Sequence, residues 1–256
     1  MTNNEFKVDL LFFAPHPDDV ELWCGGLVVK MTQAGYRVGI AELTKGELGT
    51  RGDVATREAE CKASSKVLGV TLRENLGFPD GGIDATTSSQ LNRTVELLRE
   101  LRPELVVIPY EQERHPDHVA ASTLLNRALF FANTKKFTTG GKAPRFMPRQ
   151  VLSYPMRHVV RPSFVVDISD VQATKMKAIS CFKSQLFDPK HKEEDQTLLS
   201  SPETLQVIET RDRYYGAMIG KTFGEPFQVT NLLAIGDPLE FFRKNSNMSA
   251  QLFPVD

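Results

Sequence analysis

Five histidines occur in the 256 residues, and three of them sit in two short, similar segments. The first reads Ala14-Pro15-His16-Pro17-Asp18-Asp19-Val20-Glu21 and the second His115-Pro116-Asp117-His118. One imidazole and two adjacent carboxylates, in a turn stiffened by Pro17, can do two jobs. His16 and Asp19 can face one cation, while Asp18 points elsewhere, within reach of a water's proton. A plainer reading also fits: Pro-Asp-Asp before a helix makes a turn and an N-cap, with both acids favoured by the helix dipole. Glu21 is read in that plain way, as a first-turn acid. The second segment shifts the balance, because it supplies a distant third donor, His118, in the same kind of loop. Two His and one Asp with an open position are the composition of a catalytic zinc centre rather than a closed structural one. The same donors accept Fe(II), Co(II) or Mn(II). His115 is left for a second role, with Asp117 able to orient its imidazole and raise its pKa.

The elements around these segments must bring them together. Leu10–Pro15, Arg37–Leu43 and Leu105–Pro109 read as buried strands. Leu22–Ala34, Thr56–Leu68, Leu91–Leu101 and Val119–Phe131 have helical spacing, closed by Gly35, by Gly69 and, for the third, by Pro103. Strands buried on both faces and separated by helices predict an α/β fold: a Rossmann-like wound, mostly parallel sheet with helices on both faces. Both histidine segments then follow a strand's carboxyl end and precede a helix, at the edge where such sheets bind ligands. The second half reads as an irregular C-terminal portion. Thr138–Gln150 reads as a surface loop, Val151–Tyr154 and Phe164–Ile168 as strands, and Asp170–Phe182 as a helix with Asp170 as N-cap. Phe187–Ser200 reads as a long loop or lid. Ser201–Ile219 reads as a helix with Ser201 as N-cap and Pro202 at its first position. The tail after Lys244 is polar. No repeat or linker divides the chain, so residues 1–256 are read as a single domain.

Composition narrows the classes. With 31 basic and 32 acidic residues, scattered rather than massed, nothing points to nucleic acid as a partner. Cys24, Cys61 and Cys181 are odd in number and far apart, which suits free thiols in a reducing cytoplasm and not a disulfide framework. No stretch approaches the ~20 apolar residues of a membrane span, and the run Leu10–Ala14 is too short for a signal-peptide core. A cytoplasmic location is expected.

The two histidine segments resemble those of the LmbE-like, or PIG-L, family of zinc-dependent deacetylases. Further stretches resemble one branch, the bacillithiol-biosynthesis N-acetylglucosaminyl-malate deacetylases. These are Leu43–Gly52, Thr56–Glu60, Leu76–Gly82, Ser184-Gln185 and Gly224–Phe227. The resemblance spans about Val8 to Pro238. It implies His16, Asp19 and His118 as metal ligands and Asp18 as the general base. It implies His115, oriented by Asp117, as the group that steadies the oxyanion or protonates the leaving amine. Arg57 resembles an arginine that contacts the sugar, and Arg114 one near the aglycone; an ordinary ion pair is the alternative for both. The implied reaction is hydrolysis of an N-acetyl amino sugar to acetate and amine. The implied assembly is a homo-oligomer, a trimer or hexamer. The chain departs from relatives with a tyrosine two residues before His115, where it has Glu113. Trp23 and Cys24 are bulkier than expected beside the site; they either shape the pocket wall or pack into the core.

Other readings compete. The substrate could be a short chitin oligosaccharide or a thiol conjugate, with the same chemistry. A nucleotide-binding module lacks its Gly-x-Gly-x-x-Gly after the first strand, and no Walker-type lysine loop is present. A non-catalytic metal-binding α/β protein leaves Asp18 without a purpose.

Overall fold

The computed structural model describes residues 7–189, 197, 199–229 and 231–244. Five short apolar or half-apolar stretches form parallel strands: β1 (Leu10–Ala14), β2 (Val38–Thr44), β3 (Leu72–Phe78), β4 (Leu105–Pro109) and β5 (Gln150–Tyr154). Two more, β6 (Phe164–Asp167) and β7 (Gly224–Val229), extend the sheet in the order β3-β2-β1-β4-β5-β7-β6, with β7 antiparallel to both neighbours. Every residue of β1 and β2 is buried, as the apolar runs require of strands covered on both faces.

Helices cover both faces. On one side pack α1 (Asp19–Gln33), α2 (Val54–Leu68), α5 (Gln172–Ile179) and α6 (Thr204–Met218), around Phe12, Val28, Ile40, Tyr154 and Phe227. On the other pack α3 (Ser88–Leu101) and α4 (Pro116–Asn133), around Leu11, Phe13, Val95, Val106 and Leu124. A short helix, α7 (Pro238–Lys244), follows β7 and buries no residue.

The order β3-β2-β1-β4-β5 decides where a ligand can sit. Chain connections run one way from β1 and the other way from β4, so the two loops leaving these neighbouring strands splay apart and leave a crevice. Those loops carry His16 and His115.

Several expected boundaries and caps differ. α1 begins at Asp19 rather than Leu22, and α4 at Pro116 rather than Val119, so Asp19, Asp117 and His118 lie in first helical turns. Asp170 is not the N-cap of α5; that position is Val171, and Asp170 pairs with Lys30 of α1 instead. Ser201 and Pro202 stand before the start of α6, whose N-cap is Glu203, and the Ser201 hydroxyl is drawn to the Glu203 carboxylate. The strand β3 was not expected. Its Arg73 and Asn75 point into polar partners, which hides the apolar pattern of a buried strand. The tail beyond Lys244 and most of the expected lid 187–200 lie outside the described residues.

Helix α1 is kinked at Cys24, whose φ/ψ of −144°/19° leaves the helical region. The kink frees two backbone N–H groups, and Gly26 and Leu27 donate them to the two oxygens of Glu225 at 2.8 and 2.7 Å. Glu225 is fully buried and is balanced by Lys175 at 2.9 Å, which also reaches Asp212 at 2.7 Å. Glu225 thus acts as an internal cap for the second segment of α1.

Candidate metal and catalytic site

The site is assembled at the carboxyl edge by five loops. The loop after β1 carries His16, Asp18 and Asp19. It is tied to the end of β2, because the carbonyl of Pro15 accepts from both the backbone N–H and the hydroxyl of Thr44. The loops after β2 and β3 interlock. The Glu47 carboxylate accepts from the Asp80 N–H, and the Asp80 carboxylate accepts from the Leu48 N–H, each at 2.9 Å. The loop after β4 carries Glu113, Arg114 and His115, and the loop after β5 carries Met156 and Arg157.

Two imidazoles approach one carboxylate oxygen. Asp19 Oδ2 lies 3.3 Å from His16 Nδ1 and 3.4 Å from His118 Nε2. Metal–donor bonds of about 2.0–2.1 Å at the tetrahedral angle place neighbouring donors about 3.3 Å apart. These two separations match neighbouring donors of a four-coordinate cation. Burial works against the charged form of Asp19, yet His118 and His16 overcome it and hold its carboxyl well below the usual range. Burial likewise opposes a charge on His16. The Asp117, Asp19 and Asp80 carboxylates around it win, and its pKa is pushed up to about 12. A field that retains a proton so strongly there also favours a cation in its place.

The other side of His16 was not foreseen. Its Nε2 faces two carboxylates, Asp80 Oδ1 at 3.1 Å and Asp117 Oδ2 at 3.3 Å. In the neutral ring, acceptors on that side favour the proton on Nε2 and leave the Nδ1 lone pair for a cation, the usual service of outer carboxylates. Among the described residues, two groups of three offer donor atoms that lie within 4.8 Å of one another, His16/His115/His118 and His16/Asp80/Asp117; both share His16, and Asp19 belongs to neither, although its Oδ2 lies close to His16 and to His118. Asp80 lies in the Phe78-Pro79-Asp80-Gly81-Gly82 stretch that resembled the family; its position after β3 was the missing signal.

Asp117 departs from expectation. Its carboxylate contacts His16 and accepts from the Gly81 N–H at 2.8 Å, while His115 Nδ1 instead accepts the Asp117 backbone N–H at 3.2 Å. His115 is thus the N-cap of α4, and its Nε2 is left as the ring's donor. Its pKa is lowered, not raised, by burial and by the nearby His16 and His118.

Asp18 is held in a left-handed conformation, φ 96°, uncommon for a residue with a side chain. Arg57 Nη1 grips its Oδ2 at 3.0 Å, and both side chains are almost fully buried. Burial raises the Asp18 pKa to about 7 against the opposing charge of Arg57. Arg57 is thus not a surface or interface ion pair: it is buried, pairs with Asp18 and lines the cavity. Gly46, at φ +68°, makes room for it, since a Cβ there would stand 2.9 Å from Arg57 Nη2.

Glu21 lies in the first turn of α1, as expected, but it does more than complement the helix dipole. It is fully buried, accepting from Ser64 and from Arg73, each at 2.6 Å, and Arg73 also binds Glu42. This network anchors the first turn of α1 to α2, β2 and β3, directly beneath Asp18 and Asp19.

A cavity of ≈ 520 Å³ opens on the site, lined by His16, Asp18, Asp19, His115 and His118 together with Arg57, Arg114 and Asp80. Trp23 forms part of its wall and is also buried, so the two alternatives for it hold together; Cys24 belongs to the core. All three cysteines are free thiols. Thr197 and Leu199, two of the described residues of the expected lid, line the cavity as well. No described helix is long and apolar enough to cross a membrane.

Comparison with known proteins gives the same direction. The profile of the family described as PIG-L, GlcNAc-PI de-N-acetylase, matches residues 11–129. A diacetylchitobiose deacetylase of Thermococcus kodakarensis is 31% identical over 226 residues, covering 84% of this chain and 80% of the relative. A probable N-acetyl-alpha-D-glucosaminyl L-malate deacetylase 2 of Bacillus anthracis is 32% identical over 138 residues, 49% of this chain and 60% of the relative. Among solved structures, the conserved protein TT1542 of Thermus thermophilus superposes with a TM-score of 0.79 at 36% identity, over 90% of this chain and 98% of that one. The matched profile spans both histidine loops, and the chain belongs to the PIG-L, or LmbE-like, family.

Proposed function

We propose that this chain is a zinc-dependent N-deacetylase that hydrolyses the acetamide of an N-acetylglucosamine derivative. The observation that carries this reading is the convergence of His16 Nδ1 and His118 Nε2 on Asp19 Oδ2, at 3.3 and 3.4 Å, with the non-converging carboxylate Asp18 on the same cavity. His16, Asp19 and His118 would hold the cation. When bound, it supplies Lewis-acid polarisation of the acyl carbonyl and a lowered pKa for water.

The chain's own groups do the rest. Asp18 accepts the proton of the water that attacks the acetyl carbon, and Arg57 keeps its Oδ2 in place. His115, with Nδ1 occupied by a backbone N–H, offers Nε2–H to the carbonyl oxygen as it gains negative charge. The C–N bond breaks as the nitrogen takes a proton, delivered by Asp18 or His115. One amide and one water give acetate and a free amine. Asp80 and Asp117 hold His16 in the tautomer the site needs.

Two substrates are supported by the relatives. N-acetylglucosaminyl malate is the sequence-based expectation and matches the activity named for the Bacillus relative. Diacetylchitobiose matches the activity named for the Thermococcus relative, which aligns over more of the chain. The test is metal content together with acetate release. The wild type is expected to hold about one zinc per chain, His118→Ala to lose it, and Asp18→Asn to keep metal and lose most turnover. Full zinc and activity in His118→Ala would overturn the ligand set.

A further inference from the structure

A second cavity, of ≈ 560 Å³, lies behind the first. Among the described residues, Arg57 alone lines both. The wall between them is thin. In the loop after β1, His16 and Asp18 line the first cavity and Pro17 the second; after β2, Gly46 lines the first and Lys45 the second. Helix α2 and strand β3 supply the rest of the second cavity's lining, with Cys61 and Ser65 from the helix and Arg73 and Asn75 from the strand.

Arg57 is a lightly fastened part of that wall. Its side chain is buried, yet among the described residues it makes one hydrogen bond, from Nη1 to Asp18 at 3.0 Å, and its buried Nε has no partner. Gly46 leaves space beside it, since a Cβ there would stand 2.9 Å from Nη2 and 3.3 Å from Nε. A buried guanidinium with donors unmet gains from any anionic acceptor that comes within reach. The charges beyond it suit an anion as well. The acids that line the second cavity are each matched: Glu42 binds Arg73, Glu58 binds Lys62 and Glu74 binds Arg93. Lys62, with a smaller contribution from Lys45, holds the Glu58 carboxyl below its usual range. Lys45 and Lys66 are exposed and make no ion pair among the described residues. Cations thus stand both at the inner end of this cavity and at its rim.

We infer that the second cavity is the exit for the acetate product, with Arg57 as the gate between it and the catalytic cavity. This rests on the deacetylase reading above and deepens it. Asp18 serves the acetyl carbon and is held by Arg57, so the acetyl end of the substrate lies innermost, towards the shared wall. After the C–N bond breaks, acetate is enclosed between that wall and the amino sugar, which fills the way in. Acetate offers Arg57 the acceptor its free donors lack, and a small swing of the guanidinium towards Lys45 and Lys66 carries the anion through.

The test is product inhibition of the zinc-loaded chain, with the better substrate of diacetylchitobiose and N-acetylglucosaminyl malate. With a separate exit, acetate can leave before the sugar, and added acetate inhibits noncompetitively against substrate. With one shared mouth, the amino sugar leaves first and acetate inhibits competitively. The first pattern is expected, and the second overturns the exit. Ser65→Trp puts an indole into the second cavity. It should lower kcat about tenfold while rapid quenching finds a burst of amine formed at the wild-type single-turnover rate, because release becomes limiting and chemistry does not change. Acetate inhibition should then turn competitive. Lys45→Glu combined with Lys66→Glu alters only exposed side chains and should give the same burst with a lower kcat; this variant decides the matter if Ser65→Trp does not fold or slows the burst itself. A kcat unchanged in both variants, or a fall in kcat without a burst in the lysine variant, overturns the exit and leaves the deacetylase reading standing. Acetate release from neither substrate overturns that reading, and the exit with it.

Discussion

The two carboxylates on the far side of His16 give a sharp test of how the site is built. Asp80 and Asp117 lie 3.1 and 3.3 Å from His16 Nε2, while Asp19 lies 3.3 Å from Nδ1. If the cation sits on the Nδ1 side, Asp80 and Asp117 act through His16. Removing such outer carboxylates costs about 10–100-fold in metal affinity, or about 1.4–2.7 kcal/mol. Asp80→Asn and Asp117→Asn preserve shape and remove charge. Each is also anchored separately, Asp80 by the Leu48 N–H and Asp117 by the Gly81 N–H. One can therefore cover for the other. Each single variant is expected to lose about tenfold, near the lower bound of that range. The double variant should lose more than the product of the two, because the Nε2 proton then has no acceptor. Competition with a chromogenic chelator measures these affinities, and circular dichroism checks that the fold persists. The contrary outcome is clear-cut. If either single variant abolishes stoichiometric zinc, Asp80 or Asp117 is a direct ligand, and the His16/Asp80/Asp117 group is the metal site. A double variant that binds zinc as well as the wild type would refute the orienting role.

Two further outcomes follow from packing. Gly46→Ala should destabilise the chain by about 1–2 kcal/mol, since φ +68° disfavours a side chain and the new Cβ stands 2.9 Å from Arg57 Nη2. It should also lower kcat by disturbing Arg57 on Asp18; thermal denaturation and kinetics check both, and an unchanged kcat would separate Arg57 from catalysis. Lys175→Met should cost about 3–5 kcal/mol, because Glu225 is left fully buried without its cation. Burial already raises the Glu225 pKa. A carboxyl whose folded pKa is raised stabilises the fold below its unfolded pKa and loses that contribution as pH rises through the folded one. The Lys175→Met deficit should accordingly be smaller at pH 5 than at pH 8, and a pH-independent deficit would contradict the assignment.

The sequence carried much of this fold and less of the site's surroundings. β1, β2 and β4 are apolar on both faces, and their periodicity is plain. The histidine loops follow them at the switch point, which is why distant His16 and His118 could be paired from topology alone. β3 was hidden because Arg73 and Asn75 serve a buried polar network, and β7 because Glu225 is buried inside it. Missing β3 had consequences. Without Arg73 beside it, Glu21 showed only as a first-turn acid, and without the strand's end, Asp80 had no place near His16. Arg157 lies in an irregular loop with no motif around it. Its place is set by contacts between segments far apart in the chain: Glu113 accepts its backbone N–H at 3.3 Å, and its guanidinium lies over the Trp23 ring. Asp117 was placed correctly along the chain, but two residues in a first helical turn can point opposite ways. Its carboxylate took His16 and its backbone took His115.

The most direct test of the central claim is acetate release from an N-acetylglucosaminide by the chain loaded with zinc, by the chain stripped with chelator, and by the stripped chain after zinc is returned. The expected result is turnover in the first, loss in the second and recovery in the third, with His118→Ala inactive and metal-poor throughout. Turnover that survives removal of zinc, or a zinc-loaded wild type that releases no acetate from malate-linked, phosphorylated, neutral or chitobiose substrates, would contradict it.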